Sequence, residues 1–290
     1  TEGGTLPMFT SCCPAWVKFL ETNFPELTDH LSSCKSPQQM AGAVFKTYGA
    51  KVNKIDAKDI YSISIMPCTC KKFECDRPEM DSSGYRDVDA VLTTRELAYL
   101  IKDAGIDFNS LEEIPFESPL GVYTGAGTIF GVTGGVMEAA MRTAYKLITD
   151  KEPPPYALTH LEDVRGMEGV KEATVQLGDD VTLSVAVVHG GKNTRDFLNA
   201  LKDSDKHYDF IEVMACPGGC IGGRGPPPPK IASAVETKER PIGGLYEADA
   251  NYKWVASYEN PEIQALYKDF LGEPLGHKAH ELLHTHYTNR

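Results

Sequence analysis

The sequence has no run approaching the roughly 18 consecutive apolar residues of a membrane span, so no span is expected. It also lacks a surplus of positive charge. Lys and Arg total 29 against 41 Asp and Glu, and the formal net charge is -12. Such an acidic surface argues against nucleic acid and anionic membranes as partners, while leaving room for a small basic docking patch. Internal repeats are missing. Low complexity is confined to Pro226–Pro229, which reads as a short stiff connector. No charged-then-apolar secretion signal opens the chain. It starts at Thr1 without a methionine, which allows for an upstream stretch that carried targeting information. The expected location is the cytoplasm or an organelle stroma or matrix.

What is present suffices for a sizeable core: 290 residues, 41% of them hydrophobic. Short apolar runs alternate with amphipathic stretches, the pattern of an α/β protein. Leu6 to Phe9 reads as a short buried strand, Ala15 to Thr22 as a helix, and Pro37 opens a second helix through Tyr48. Strands are expected at Tyr61–Met66 and Asp89–Leu92, and a helix at Thr94–Asp103. The glycine-rich stretch Gly125–Gly135 flows into a helix with Met137, Met141, Ala144 and Ile148 on one face. Leu183–Val188 and Asp209–Met214, separated by a helical stretch near Thr194–Leu201, form a βαβ pattern of buried parallel strands. The tail from Ile242 reads as mostly helical. The expected organisation is a first lobe over 1–115, a second over 116–225, and a connector with helical tail over 226–290.

Eight cysteines are present: Cys12, Cys13, Cys34, Cys68, Cys70, Cys75, Cys216 and Cys220. In a small secreted domain an even count would suggest disulfides. In a chain this long, with cysteines beside Gly, Pro and Met, metal or catalytic use is the better reading. Three cysteine segments sit where strands end: TSCCPAW (10–16), MPCTCKKFE (66–74) and EVMACPGGCIGG (212–223). Loops after the carboxyl ends of strands are where open α/β sheets assemble their sites. Sulfur ligands select iron–sulfur clusters or zinc, and Gly218 and Gly219 let backbone approach a cluster closely. Taken alone, the Cys216–Cys220 spacing leaves a zinc half-site or a buried pair open.

TSCCP, MPCxxKxxE and ExMACxxGCxxGG, in this order and separation, closely resemble the three signature segments of the catalytic domain of iron-only (FeFe) hydrogenases. FGVTGGVMEAAMRTAY (130–145), VRGMEGVKE (164–172) and GHKAHELLHTHY (276–287) are similar to that family too. The resemblance implies a two-lobed α/β fold with small parallel sheets flanked by helices and the cluster between lobes. It implies an H-cluster, with a 4Fe–4S cubane on Cys13, Cys68, Cys216 and Cys220. Cys220 would bridge to a diiron subsite carrying CO, cyanide (CN) and a bridging azadithiolate. The implied reaction is reversible H2 formation from protons and electrons. Cys12 would be the free thiol that passes protons to the bridging amine, because a thiol beside an anionic cluster stays protonated. Its plain alternative is a small buried hydrophobe. Lys71 would donate to a cyanide ligand, the alternative being a solvated lysine as expected for Lys72. Met66 and Met214 would lie against the diiron subsite as soft thioethers, or serve as core packing. Phe130 would line the same pocket. Ser32 resembles the family's proton-relay hydroxyl, and Glu74 is a further candidate or a local ion-pair partner.

Cys34, Cys70 and Cys75 match no ligand position and default to structural thiols, with Cys70 expected to point elsewhere if its segment is a turn. His280 and His284 have a chelating spacing, but the resemblance favours a structural tail, also for His277 and His286. Two departures stand out. Arg224 and Pro226 replace a glycine and a glutamine of the family pattern. The family segment that precedes TSCCP, with its cyanide contacts and proton-path carboxylates, does not precede Thr1: a fragment, a split subunit and an unusually reduced enzyme all fit, and in the first two cases a complementary segment or chain is the expected partner. Without ferredoxin-like cysteine runs, electrons are expected from an external low-potential, ferredoxin-like carrier or an electron-transfer subunit. Two other classes compete: a hydrogenase-like iron–sulfur assembly or carrier protein, and a hydrogen-sensing subunit. Assembly relatives generally lack the relay thiol and the diiron-contacting Lys and Met, and a sensor would carry a signalling domain.

Overall fold

A computed structural model describes residues 4–153, 165–179, 181–227 and 236–288. In chain order the elements are β1 (Met8–Phe9), α1 (Pro14–Asn23), α2 (Pro37–Val44), α3 (Ala50–Asn53), β2 (Ile63–Met66), α4 (Cys70–Cys75), β3 (Ala90–Thr93) and α5 (Thr94–Asp103). There follow α6 (Gly125–Ile129), α7 (Gly135–Thr149), β4 (Val170–Leu177), β5 (Val181–His189), α8 (Gly191–Lys202), β6 (Phe210–Met214), α9 (Glu236–Asn251), α10 (Pro261–Leu266) and α11 (His277–Leu283). The mixed α/β class with small sheets and flanking helices is as expected.

Local chemistry sets most boundaries. Proline opens α1, α2 and α10, where its missing N–H costs no helical bond. Thr93 and Glu96 close a reciprocal capping box at the start of α5. Two expected elements change in extent. The first strand shrinks to Met8–Phe9, because Leu6 is half exposed and only Phe9 enters the core. The helix opened by Pro37 runs on past Tyr48, through a π turn at Phe45–Gly49 into α3.

The larger sheet has the order β1-β6-β5-β4. β1 and β5 flank β6 in parallel, and the β5-α8-β6 unit is the expected crossover. β4 is an antiparallel edge strand that the sequence reading did not foresee. Its VKEATVQL run opens on the adjacent charges Lys171 and Glu172 and has only a short apolar alternation after them, so it reads weakly as a strand. The second sheet is the parallel pair β2–β3. The larger sheet thus takes β1 from the first predicted segment and β4–β6 from the second.

Strand alternation sorts β6 between two cores. Ile211 and Val213 pack with Phe9, Trp16, Leu20 and Leu198 on the side of α1 and α8. Phe210 faces the other side, where Met137 and Met141 of α7 meet Val185 and Val187. A third cluster ties α2 to the C-terminal helices through Val44, Tyr48, Leu266 and Leu282. Among the described residues no helix is long and apolar enough to cross a membrane.

Candidate metal centre

Each cysteine segment leaves the carboxyl end of a strand. After β1, the Thr10 N–H donates to Ile211 O at 3.0 Å, and Thr10 Oγ1 accepts from Val213 N at 3.1 Å. Cys13 is the N-cap residue of α1. After β2 comes Cys68, one residue short of Thr69, which caps α4. After β6, Gly218 and Gly219 take φ of 84° and 92°, a left-handed path that favours glycine. The Gly219 N–H then donates to Cys216 O at 3.1 Å.

The three loops are stitched to one another. Gly225 N donates to Pro67 O at 3.1 Å, Thr133 N to Gly218 O at 3.1 Å, and Ile221 N to Gly131 O at 3.0 Å. A Cβ on Gly223 would lie 2.0 Å from Pro67 O, and one on Gly225 2.5 Å from Pro67 C. Those two glycines are what the backbone crossing requires. Arg224 between them is exposed, and its carbonyl accepts from Arg95 Nη2 at 2.9 Å. A charged side chain is therefore tolerated there. The Pro226–Pro229 run passes out of the described residues after Pro227, as does Val164 of the VRGMEGVKE segment.

The stitching brings Cys13, Cys68, Cys216 and Cys220 within electrostatic reach of one another. All eight cysteines are free thiols. Burial raises the Cys13 thiol, and burial with the Cys13 sulfur beside it pushes Cys220 up to about 12. Cys68 goes the other way, to about 6, chiefly because the Cys70 thiol donates to it. Cys70 itself is raised by the same bond. The expectation that Cys70 points elsewhere is therefore corrected: it flanks Cys68 and feels Cys13 and Cys216. Cys75 behaves as the structural thiol expected, buried with Val88 and Val91 and donating to Lys72 O at 3.1 Å.

Among the described residues no three His, Cys, Asp or Glu gather tightly enough to hold a single metal ion. A cubane makes a different demand, since each thiolate takes a separate iron and the sulfurs stand apart by the width of the cage. Cys13 and Cys220, kept neutral by burial and neighbouring sulfurs, are poised to lose protons once cationic irons arrive. Beside Gly219 the buried Thr133 hydroxyl has no hydrogen-bond partner, leaving a polar group for a bound species. The donor set fits a four-iron cluster.

Cys12 precedes the N-cap residue. Burial raises its thiol well above the ordinary value, the Cys13 sulfur and Glu212 add to this, and Lys71 opposes it. Lys71 is buried, and its Nζ donates to Cys12 O at 2.9 Å and to Glu74 Oε2 at 2.9 Å. Glu74 is more than a local partner: it also accepts from Ser36 Oγ at 2.7 Å and Gln38 Nε2 at 3.0 Å. Ser36 and Gln38 were missed by sequence reasoning, although they sit at the Pro37 helix start. Ser32 is brought to β1 by its N–H bond to Phe9 O at 2.8 Å, and its hydroxyl accepts from Cys34 N at 3.3 Å. Met214 is fully buried, Met66 packs partly against Cys75 and Val91, and Phe130 follows α6 and packs on Ile129 and Val132. In the tail His280 and His284 stack at 4.3 Å, and His284 Nδ1 pairs with Ser33 Oγ at 2.8 Å.

Fold and site together define an α/β protein whose three strand-end loops converge on a cysteine-rich centre. Residues 1–224 match the family model of the iron only hydrogenase large subunit, C-terminal domain, and residues 236–290 that of the iron hydrogenase small subunit. The chain belongs to the iron-only hydrogenase large-subunit family. It is 50% identical to the NADP-reducing hydrogenase subunit HndD of Solidesulfovibrio fructosivorans, over 98% of this chain and 48% of that protein. It is 30% identical to the cytosolic iron-sulfur assembly component 3 of Rattus norvegicus, over 97% of this chain and 59% of that one. An apo [FeFe]-hydrogenase variant from Chlamydomonas reinhardtii superposes with a TM-score of 0.80 at 40% identity, covering 98% of this chain and 76% of that one. The chain spans about half the length of curated hydrogenase relatives that it matches.

Proposed function

We propose that this chain is the catalytic module of an FeFe hydrogenase and interconverts protons, electrons and H2. Cys13, Cys68, Cys216 and Cys220 would hold a 4Fe–4S cubane, the protein-bound half of an H-cluster that also has a diiron subsite. When bound, that H-cluster, with its CO, cyanide and azadithiolate ligands, supplies the redox chemistry and the site where H2 forms. The chain's own residues do the rest. Cys12 holds a proton on Sγ at the wall of the site, kept there by burial and the neighbouring sulfur. Lys71 is oriented by Glu74, which Ser36 and Gln38 orient in turn, so an ammonium stands ready for an anionic ligand. Met66, Met214 and Phe130 exclude water, and Ser32 extends the proton route outward from Cys12. A low-potential, ferredoxin-like carrier or electron-transfer subunit delivers electrons.

The observation that carries this reading is the placement of the free thiol of Cys12, next to the cluster cysteines and tied through its carbonyl to the buried ammonium of Lys71. The similarity to an iron-sulfur assembly component supports a second reading, cluster handling without H2 turnover. Infrared spectra of matured protein in the CO and CN stretching region separate the two, because only the hydrogenase carries those ligands. Cys12→Ala should keep the bands yet lose about 10²–10⁴-fold in H2 evolution, the scale of one positioned acid–base group. Cys12→Asp should retain more activity than Cys12→Ala. Bands absent from matured wild type, or equal turnover in wild type and Cys12→Ala, would sink the hydrogenase assignment or the thiol's role respectively.

A further inference from the structure

Glu212 breaks the alternation of β6. Its neighbours on the same strand face, Phe210 and Met214, are apolar, and that face lies under α7. A carboxylate at 0% exposure there needs strong partners, because burying a charge without them is costly. It finds them in backbone N–H groups: Gly134 donates at 2.6 Å and Met137 at 2.7 Å. These groups open α7, a helix of 15 residues whose N-cap, Gly134, has no side chain to offer. Glu212 is therefore the cap, supplied from a strand far away in sequence, and the helix dipole favours its charge.

The capped turn is part of the site. It runs from Phe130 to Gly135 and is bonded to the cysteine loop through Gly218 O and the Ile221 N–H. It has little slack, since a Cβ on Gly135 would meet Ile129 O at 1.7 Å and one on Gly219 would meet Thr133 N at 2.6 Å. Glu212 itself lies four residues before Cys216 on the strand that feeds that loop.

We infer that Glu212 is a positioning residue that locks the Phe130–Gly135 turn and the Cys216–Cys220 loop into one rigid wall of the metal centre. It acts through the backbone of Gly134 and Met137. The inference rests on the functional reading above for what the wall encloses, but the lock itself does not.

The test uses the full 290-residue chain, reconstituted anaerobically with iron and sulfide. Glu212→Gln keeps the volume and can still accept one N–H bond, while its amide NH2 faces the other donor. Amide exchange over 133–137 should rise at least about tenfold, the scale of a lost hydrogen bond to a charged group. Exchange in α8 should stay put. The reduced cubane should give a broadened or split electron paramagnetic resonance signal, because its loop samples more than one arrangement. Met141→Ala, which hollows the core under the same helix, should lower the melting temperature yet leave that signal sharp. The lock is overturned if Glu212→Gln leaves exchange at 133–137 and the signal as in wild type, or if Met141→Ala reproduces both changes. Should wild type take up no cubane, the functional reading fails, while the exchange measurement still decides the lock.

Discussion

β6 and β2 each deliver cysteine loops from their carboxyl ends, under opposite conditions. β6 is an inner strand of four, covered by α7 on one face and by α1 and α8 on the other. β2 has only β3 beside it, and Ile63 and Ile65 are 55% and 49% exposed. α5, packed against the β2–β3 pair, has no buried residue at all. Parallel strands are ordinarily buried on both faces. The loop after β2 thus draws little position from a core beneath it. It is held from across the site, by Gly225 N on Pro67 O, Lys71 on Cys12 O, and Ser36 and Gln38 on Glu74. A ligand loop can be fixed by the strand that feeds it or by the loops it meets, and this molecule uses both.

The largest effect should ignore that difference. Cys13→Ala, Cys68→Ala and Cys216→Ala should each abolish or destabilise the cubane, whichever sheet feeds the loop, because each removes a thiolate. Cys34→Ala and Cys75→Ala should keep it. Iron and sulfide content decides, and a Cys216→Ala protein with a full cubane beside an empty Cys34→Ala protein would overturn the ligand set. Unfolding in denaturant should then split the two sheets. Ile211→Ala, at 0% exposure, should cost about 2–5 kcal/mol. Ile63→Ala, on the bare face, should stay within about 0.5 kcal/mol; equal losses would mean that the face is covered in solution.

The cross-site stitching is open to a finer probe. Gly225→Ala drives a Cβ into Pro67 and Cys68 backbone and should cost about 1–3 kcal/mol, with cubane content falling as well. Arg224→Gly, on an exposed side chain, should change neither. A harmless Gly225→Ala would show that the loop after β2 does not depend on that crossing. The smallest effect concerns α5. Glu96 is held down at about 2, first by the Lys72 ammonium and then by the Thr93 N–H and hydroxyl. A carboxylate whose folded pKa is depressed adds stability above its unfolded value, near 4.3, and loses it as pH falls toward 2. Protection of the amides in the first turn of α5, taken relative to their intrinsic exchange at each pH, should therefore fall between about pH 4.5 and 2.5, and Glu96→Gln should flatten that response.

Much of this was legible in the sequence because its causes are local. The periods of β5, β6 and α7 and the proline at the start of α2 each lie within a few residues. The cysteine segments were legible by resemblance, since TSCCP, MPC and MACPGGC keep their order and spacing. Cys70 was misread because adjacency in sequence does not say which way a thiol turns at the start of a helix; here α4 turns it onto Cys68. β4 was missed because an edge strand needs apolar residues on one face only, and that face is short.

The sequence by itself determined the inventory: the four proposed ligand cysteines, the thiol beside them, and the strands and helices that carry them. Only the tertiary structure decided the pairings. Nothing local tells Thr10 to pair with Val213, Glu74 to collect Ser36 and Gln38, or Glu212 to cap a helix on another element. Hydrophobic periodicity says that a face will be buried but not against what. A buried carboxylate, moreover, has no pattern of its own until the backbone N–H groups that stabilise it have been folded into place.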